Sequence, residues 1–356
     1  MRRGEARAER EIGLTTSRPV TMQDIARAAG VSQSTVSRVL NDTPTSVPIA
    51  AETRERVQEV AKRLGYRPNP LARGLRGART MLLGVIVREI TDPFFAVAIE
   101  ALSTEALARG YNVVLGSAHS KADEAIALRA VLETRHCDAI LLLGDMRDEP
   151  KFLEDLRASQ TPVIALWHGT ELEGVPTVNI DNRAGMVAGI DHLIDLGHER
   201  IAFIGGRPLG DIRERHTAFV AHLEDKGIPA PDEYVMTVVN EPAGGDAALR
   251  TLMSLETPPT AVVCSTDHLA TGVLHAAADM ELSVPEELSV VGFDDIPMAS
   301  FTVPALTTVH MPIAEMTAAA ARLAMDDAED RQDGGGNFVL TPQLVVRKST
   351  GQAPGR

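Results

Sequence analysis

The chain has 356 residues, too many for one small core, and its 44% hydrophobic and 24% charged content is that of a globular chain with two or three domains. No apolar run reaches the ~20 residues a membrane helix requires, and Cys137 and Cys264 stand far apart without metal-ligand spacing, as two reduced thiols. The net charge of -14 disfavours nucleic acid for the chain as a whole, but residues 1–80 hold 15 Lys+Arg against 8 Asp+Glu, which leaves 20 against 41 beyond them. A basic head on an acidic body suits a protein that grips DNA by one end.

Residues 1–19 carry Arg2, Arg3, Arg7, Arg10 and Arg18 without an apolar core, so a disordered arm is expected rather than a secretion signal. A three-helix, helix-turn-helix head is expected over 20–67. Thr21 caps a first helix with Asp24 as its reciprocal partner, and Ile25, Ala26 and Ala29 form its apolar stripe. Gly30 supplies a left-handed turn, and Ser32 caps a second helix whose Val36, Val39 and Leu40 point inward. Its outer face, Gln33, Ser34, Ser37 and Arg38, is a row of hydrogen-bonding groups of the kind that touches base edges in a major groove. Ala51–Leu64 reads as a third helix ended by Gly65, and a short, marginal helix over 69–76 falls within a linker at 68–79.

From Thr80 short apolar runs alternate with helical stretches. The runs are Met81–Val87, Asn112–Leu115, Ala139–Leu143, Val163–Leu166, Ile201–Ile204, Ala261–Cys264 and Ser289–Phe293. Helices are expected at Phe95–Ala108, Asp123–Thr134, Asn182–Leu196, Arg213–Lys226, Gly244–Leu255 and His268–Met280. This alternation predicts an α/β body of doubly wound parallel sheets, repeated as two lobes, with ligand bound at the carboxyl ends of the strands in a cleft between them. Asp333–Asn337 reads as a loop before a last strand, Gln343–Arg347.

Thr21 to Asn41, Thr91-Asp92-Pro93-Phe94-Phe95, Gly197 to Gly206, Ser289 to Pro297 and Pro304 to Val309, in this order and spacing, resemble the lactose-repressor/galactose-repressor (LacI/GalR) family of bacterial transcription regulators over about residues 20 to 350. The resemblance implies a periplasmic-binding-protein-like core, a homodimer on a near-palindromic double-stranded operator, and a small polar effector, foremost a sugar or sugar derivative. It assigns base contacts to Gln33, Ser34 and Arg38, and phosphate or orienting contacts to Thr21, Thr35, Ser37 and Asn41. Leu75 becomes a minor-groove wedge in a hinge helix with Ala72 and Arg73. Asp92, Phe94, Phe95, Arg215 and Asp294 become cleft residues, joined by Trp167, where the family often has an aspartate, and Asn240, where it often has an aromatic. Thr266 replaces a common asparagine and Ala218 a glycine, so the effector is not named by analogy, and Gly74 stands where the hinge helix commonly has a serine.

The implied lobes are 80–179 with 310–337 and 181–308 with 339–350, crossing near Asn179–Asp181, Val309–Met311 and Phe338–Leu340. No cofactor, metal or membrane contact is expected, and the location is cytoplasmic. An enzyme is disfavoured. Gly205 to Gly210 lacks the lysine of a phosphate loop, no Gly-x-Ser-x-Gly elbow occurs, and adjacent Asp294 and Asp295 point apart. A transport-type binding protein is disfavoured by the basic head. Arg215 with Asp294 also admits a structural ion pair, Trp167 a core role, and Phe94 and Phe95 a core role.

Overall fold

The computed structural model describes residues 20–40, 48–66, 79–119, 121–134, 137–145, 154–155, 158–167, 169, 174–325 and 336–355. Two compact units divide the chain, Met1–Gly77 and Ala78–Arg356. The expected arm, Asn41, and the hinge residues Ala72, Arg73 and Leu75 lie outside the described residues.

In the first unit, α1 (Met22–Ala29), α2 (Gln33–Leu40) and α3 (Ala51–Arg63) enclose a core of Ile25, Ala26, Ala29, Val36, Val39, Val57, Val60 and Ala61. The start of α1 is a complete capping box. The Thr21 hydroxyl accepts from the Asp24 amide, and the Asp24 carboxylate accepts from the Thr21 amide at 3.0 Å and its hydroxyl at 2.7 Å. Gly30 closes α1 at φ 68°, a conformation that a side chain resists. Ser32 Oγ then accepts from the Thr35 amide at 3.1 Å, which starts α2. Local chemistry thus sets the angle between α1 and α2.

The second unit holds two six-stranded sheets. The first has β1 (Leu82–Val87), β2 (Asn112–Ser117), β3 (Ala139–Leu143), β4 (Val163–Leu166), β5 (Thr177–Ile180) and β11 (Asn337–Leu340), in the order β11-β5-β4-β3-β1-β2, all parallel. The second has β6 (Ile201–Gly205), β7 (Val235–Thr237), β8 (Ala261–Cys264), β9 (Ser289–Asp294), β10 (Thr307–His310) and β12 (Gln343–Val345), in the order β12-β10-β9-β8-β6-β7. Among the described residues only β12 pairs antiparallel, with β10. The helices are α4 (Pro93–Ala108), α5 (Ala122–Thr134), α6 (Asn182–Asp195), α7 (Gly210–Asp225), α8 (Pro242–Met253), α9 (Asp267–Asp279) and α10 (Ile313–Met325).

Among the described residues the chain crosses between lobes three times, from β5 to α6, from β10 to α10 and from β11 to β12. One expectation needs correction: β11 pairs with β5 along its whole length, Asn337 to Leu340, so the third crossing falls at 341–342 and residues 339–340 belong to the first lobe rather than the second. The expected loop hid this strand because its side chains are mostly exposed and carry no apolar alternation. Helix α10 was also unforeseen. Its run of alanines lacks polar contrast, and it is buried on the face of the first sheet through Met316, Ala319, Ala320 and Leu323.

Buried polar residues fasten the second sheet. His198 lies 2.9 Å from both the Thr260 and the Ser289 hydroxyls, tying the chain before β6 to the starts of β8 and β9. Burial holds its pKa below the usual imidazole value, so the neutral ring is favoured there. Gly292 in β9 is required for a different reason: a Cβ there would stand 2.1 Å from Asp267 Oδ1.

Candidate functional site

On α2, Val36 and Val39 face the core, while Gln33, Ser34 and Arg38 are exposed and Thr35 and Ser37 half-buried. The Ser34 and Thr35 hydroxyls lie 2.7 and 2.8 Å from Ser32 Oγ, which fixes the first turn. Thr21 is exposed, its side chain engaged in the capping box. The sequence-predicted reading face is therefore one continuous polar surface on a rigid helix.

In the body, each sheet reverses its strand order once, between β1 and β3 and between β6 and β8. Such points open a crevice at the strand carboxyl ends. The residues that follow β1, β6 and β8 converge on one interlobe cleft. It has two parts. An inner space of about 20 Å³ is lined by Asp92, Phe94, Phe95, Trp167, Arg215 and Asp294, among others, and has room for about one water. An outer chamber of about 550 Å³ is lined by Arg88, Asp92, Arg207, Asn240, Glu241 and His268, among others. That volume is in the range of small-molecule sites.

The inner wall is aromatic. Phe94 meets Trp167 edge to face at a 4.9 Å centroid distance and Phe95 at 5.2 Å, and Trp167 Nε1 donates to Met316 Sδ at 3.2 Å. Trp167 is fully enclosed, so its ring is a packed wall more than a stacking plate. Trp167, Asp294 and Asp295 hold φ of 54°, 114° and 55°, and such backbone is retained where surrounding packing over-determines it.

Arg215 is 2% exposed, and most of its guanidinium is committed to the protein. It donates to Asn182 Oδ1 (2.8 Å), the Ser265 carbonyl (2.6 Å) and Asp294 Oδ1 (3.1 Å), and lies 3.6 Å over the Phe293 ring. Burial pushes the Asp294 carboxyl well above the usual range against the pull of Arg215, and raises Asp211 in the same way. Adjacent Asp295 points elsewhere, to Arg347 at 2.6 Å and His310 at 2.9 Å.

Contacts join the lobes across the cleft at Asp92 with Asn240, Asp145 with Arg213 and Gly169 with Gly210. Asn240 Nδ2 donates to Asp92 Oδ2 at 3.0 Å, while Asn240 Oδ1 accepts from the Thr266 hydroxyl at 2.7 Å. Asp92 Oδ1 also accepts from the Phe94 amide, so this carboxylate caps α4 and holds the second lobe at once. Arg213 lies 3.7 Å from the buried Asp145. Gly169 touches Gly210 so closely that a Cβ would stand 2.5 Å from its carbonyl carbon.

Among the sequence-predicted cleft residues only Asp92 and Asn240 line the roomy chamber. Arg88, Arg207 and His268 were missed. Their only signal is position, since each follows the end of a strand beside a reversal of strand order. Among the described residues no cluster of His, Cys, Asp or Glu could hold a metal ion, and no helix is long and apolar enough to cross a membrane.

Asp267, at the start of α9, is raised to about 7 by burial, although it accepts from the Thr308 hydroxyl at 2.5 Å and the Ile296 amide. Its folded pKa exceeds its unfolded one, so the folded state holds the proton more tightly and stability falls as pH rises from about 4 to about 7. Asp267→Asn should remove a slope of up to about 1.4 kcal/mol per pH unit in that window. Urea unfolding of wild type and variant between pH 5 and 7.5 measures it, and parallel pH profiles would count against a buried neutral acid.

Comparison with known proteins gives concordant results. The model for bacterial regulatory proteins of the lacI family matches residues 21–69, and that for a periplasmic binding protein-like domain matches residues 190–350. The HTH-type transcriptional repressor CytR of Escherichia coli (strain K12) is 35% identical over 338 residues, covering 94% of this chain and 97% of the relative. A lac repressor dimer bound to operator and the anti-inducer ONPF superposes with a TM-score of 0.81 at 26% identity, over 94% of this chain and 100% of the other. The transcriptional regulator CelR in complex with cellobiose gives a TM-score of 0.70 at 30% identity, over 93% and 100%.

Proposed function

The chain belongs to the lacI family of bacterial regulatory proteins, and from that premise we propose that it is a repressor that reads a near-palindromic operator through α2 and answers to a small polar metabolite in the interlobe cleft. The observation that carries this reading is the outer face of α2. Gln33, Ser34 and Arg38 stand exposed on a helix pinned from behind by Val36 and Val39. Gln33, Ser34 and Arg38 contact bases, and Thr21, Thr35, Ser37 and Asn41 hold phosphates. Leu75, with Ala72 and Arg73, takes the minor-groove role of the hinge.

Arg38→Ala should cost about 1–3 kcal/mol of discrimination at the base pair it reads, with non-specific binding lowered only by one phosphate-scale charge. Selection of bound duplexes from a randomised pool reads this directly. An unchanged preferred sequence would remove Arg38 from the base-reading set.

A homodimer matches the two-fold symmetry of such an operator. We assign its interface to the loop after β9. Met298, Phe301 and Val303 are 58%, 78% and 90% exposed, an apolar patch that a solitary subunit gains nothing by showing to water. Ligand-driven closure about the three crossings shifts the subunits and alters operator affinity, by as much as the ligand's preference for one state allows. A sugar or sugar derivative is the proposed effector, supported by the cellobiose in the CelR complex. Binding without turnover is proposed because Asp294 and Asp295 answer to different protein partners and face no common substrate position. A bacterial cytoplasmic location is proposed with it, since an operator is met there.

A further inference from the structure

Two polar groups in the outer chamber have no hydrogen-bond partner among the described residues. Arg88 follows β1, its backbone amide donating to the Leu143 carbonyl at 2.9 Å. Its guanidinium lies 5.2 Å over the Phe95 ring and makes no hydrogen bond or ion pair with any described residue. Across the cleft, Nδ1 of His268 is buried and has no hydrogen-bond partner. An arginine has only donors to offer, so whatever completes it must bring acceptors. The carboxylates nearby do not complete it: Asp92 is held by Phe94 and Asn240, Glu89 accepts from Thr91, and buried Asp211, which feels the Arg88 charge without a hydrogen bond to it, accepts from Asn182 and sits 3.8 Å from Arg215.

Backbone adds to the same demand. Leu209, Glu241 and His268, which line the chamber, stand at the N-termini of α7, α8 and α9. The first two helices have no side-chain cap, so their leading N–H groups are uncommitted by any capping side chain. The two uncapped helix ends and a guanidinium with no hydrogen-bond partner favour negative charge. Glu89, Asp92 and Glu241 oppose it, which limits the net attraction and leaves selection to the arginine fork.

We propose that the effector carries an acid group, a phosphate or a carboxylate on a polar body, held by Arg88 on the first lobe and by His268 beside the uncapped starts of α7 and α8 on the second. This rests on the reading of the cleft as an effector site. It makes the ligand a bridge between lobes, with one half of the oxyanion's partners on each side.

The test is thermal unfolding of the full chain with glucose, glucose 6-phosphate, glucuronate, ribose, ribose 5-phosphate and inorganic phosphate. An acid-bearing sugar should raise the melting temperature at concentrations where its neutral parent does not, and the phosphate and uronate arms tell the two acids apart. Arg88→Met should weaken the responding compound at least tenfold, and Arg88→Lys, which keeps the charge and loses the fork, should weaken it less. His268→Phe tests the other wall independently if the arginine variant fails to fold. Equal response to neutral and acid members, no response to any acid member, or an Arg88→Met chain with unaltered affinity each overturn the proposal. Operator gel shifts separate this from the broader reading. A neutral sugar that alters operator binding keeps the regulator and sinks the acid group. An acid that stabilises the chain without touching operator affinity does the reverse.

Discussion

Arg215→Ala should destabilise the body by about 3–5 kcal/mol, the range for breaking a buried ion pair from one side. The cause is the partner left behind. Asp294 is buried, with Asp267 and Asp92 adding repulsion, and without the guanidinium its carboxylate must take up a proton or admit water. The Ser265 carbonyl and Asn182 Oδ1 lose donors as well, and the Phe293 ring loses its cover. The deficit should grow as pH rises, because the stranded acid is tolerated only when neutral. A double variant, Arg215→Met with Asp294→Asn, removes both charges and should recover a good part of the loss. Urea unfolding of the three proteins decides the matter. If the single substitution costs no more than a surface arginine, under about 0.5 kcal/mol, the pair is not what holds this wall. Loss of the ligand response in such a variant would follow from the collapsed cleft and would not by itself show ligand contact.

Phe301→Asp should convert the dimer to a monomer at micromolar concentration. Two-fold symmetry places the new charge in the interface twice, and each subunit also forfeits the ~1.5–3 kcal/mol of a buried phenylalanine. Operator affinity should then fall by roughly 10²–10⁴-fold, since two heads no longer act as one ligand. Sedimentation gives the assembly state, and gel shifts on whole and half operators give the linkage. A variant that stays dimeric moves the interface away from Met298, Phe301 and Val303. A monomer that binds the whole operator as well as before would show that pairing of heads is made elsewhere.

The head was legible because its determinants are neighbours in the chain. A cap and its partner are three residues apart, a turn is one glycine, and the inward stripe of α2 repeats within a single helix. Arg38 could be assigned an outward face without knowing anything distant. The central strands were legible for a related reason: buried on both faces, β1 and β3 are unbroken apolar runs and β9 carries one at Val290–Phe293 between two polar ends. The edge strand β11 and the alanine-rich α10 carry no such mark, because what identifies them is the partner they lie against, β5 for one and α4 for the other.

The cleft divides along the same line. The sequence pattern placed Trp167, Arg215 and Asp294 after predicted strands, and the family resemblance added Asp92 and gathered them at one cleft. It did not decide which of them the protein would consume. Only the tertiary structure turned Arg215 inward onto Asp294, Asn182 and the Ser265 carbonyl, sealed Trp167 behind Phe94, and left Arg88 and His268 facing open volume. A side chain's remaining hydrogen-bonding capacity depends on groups far along the chain, 33, 50 and 79 residues away for Arg215, and no local pattern records which of them arrive.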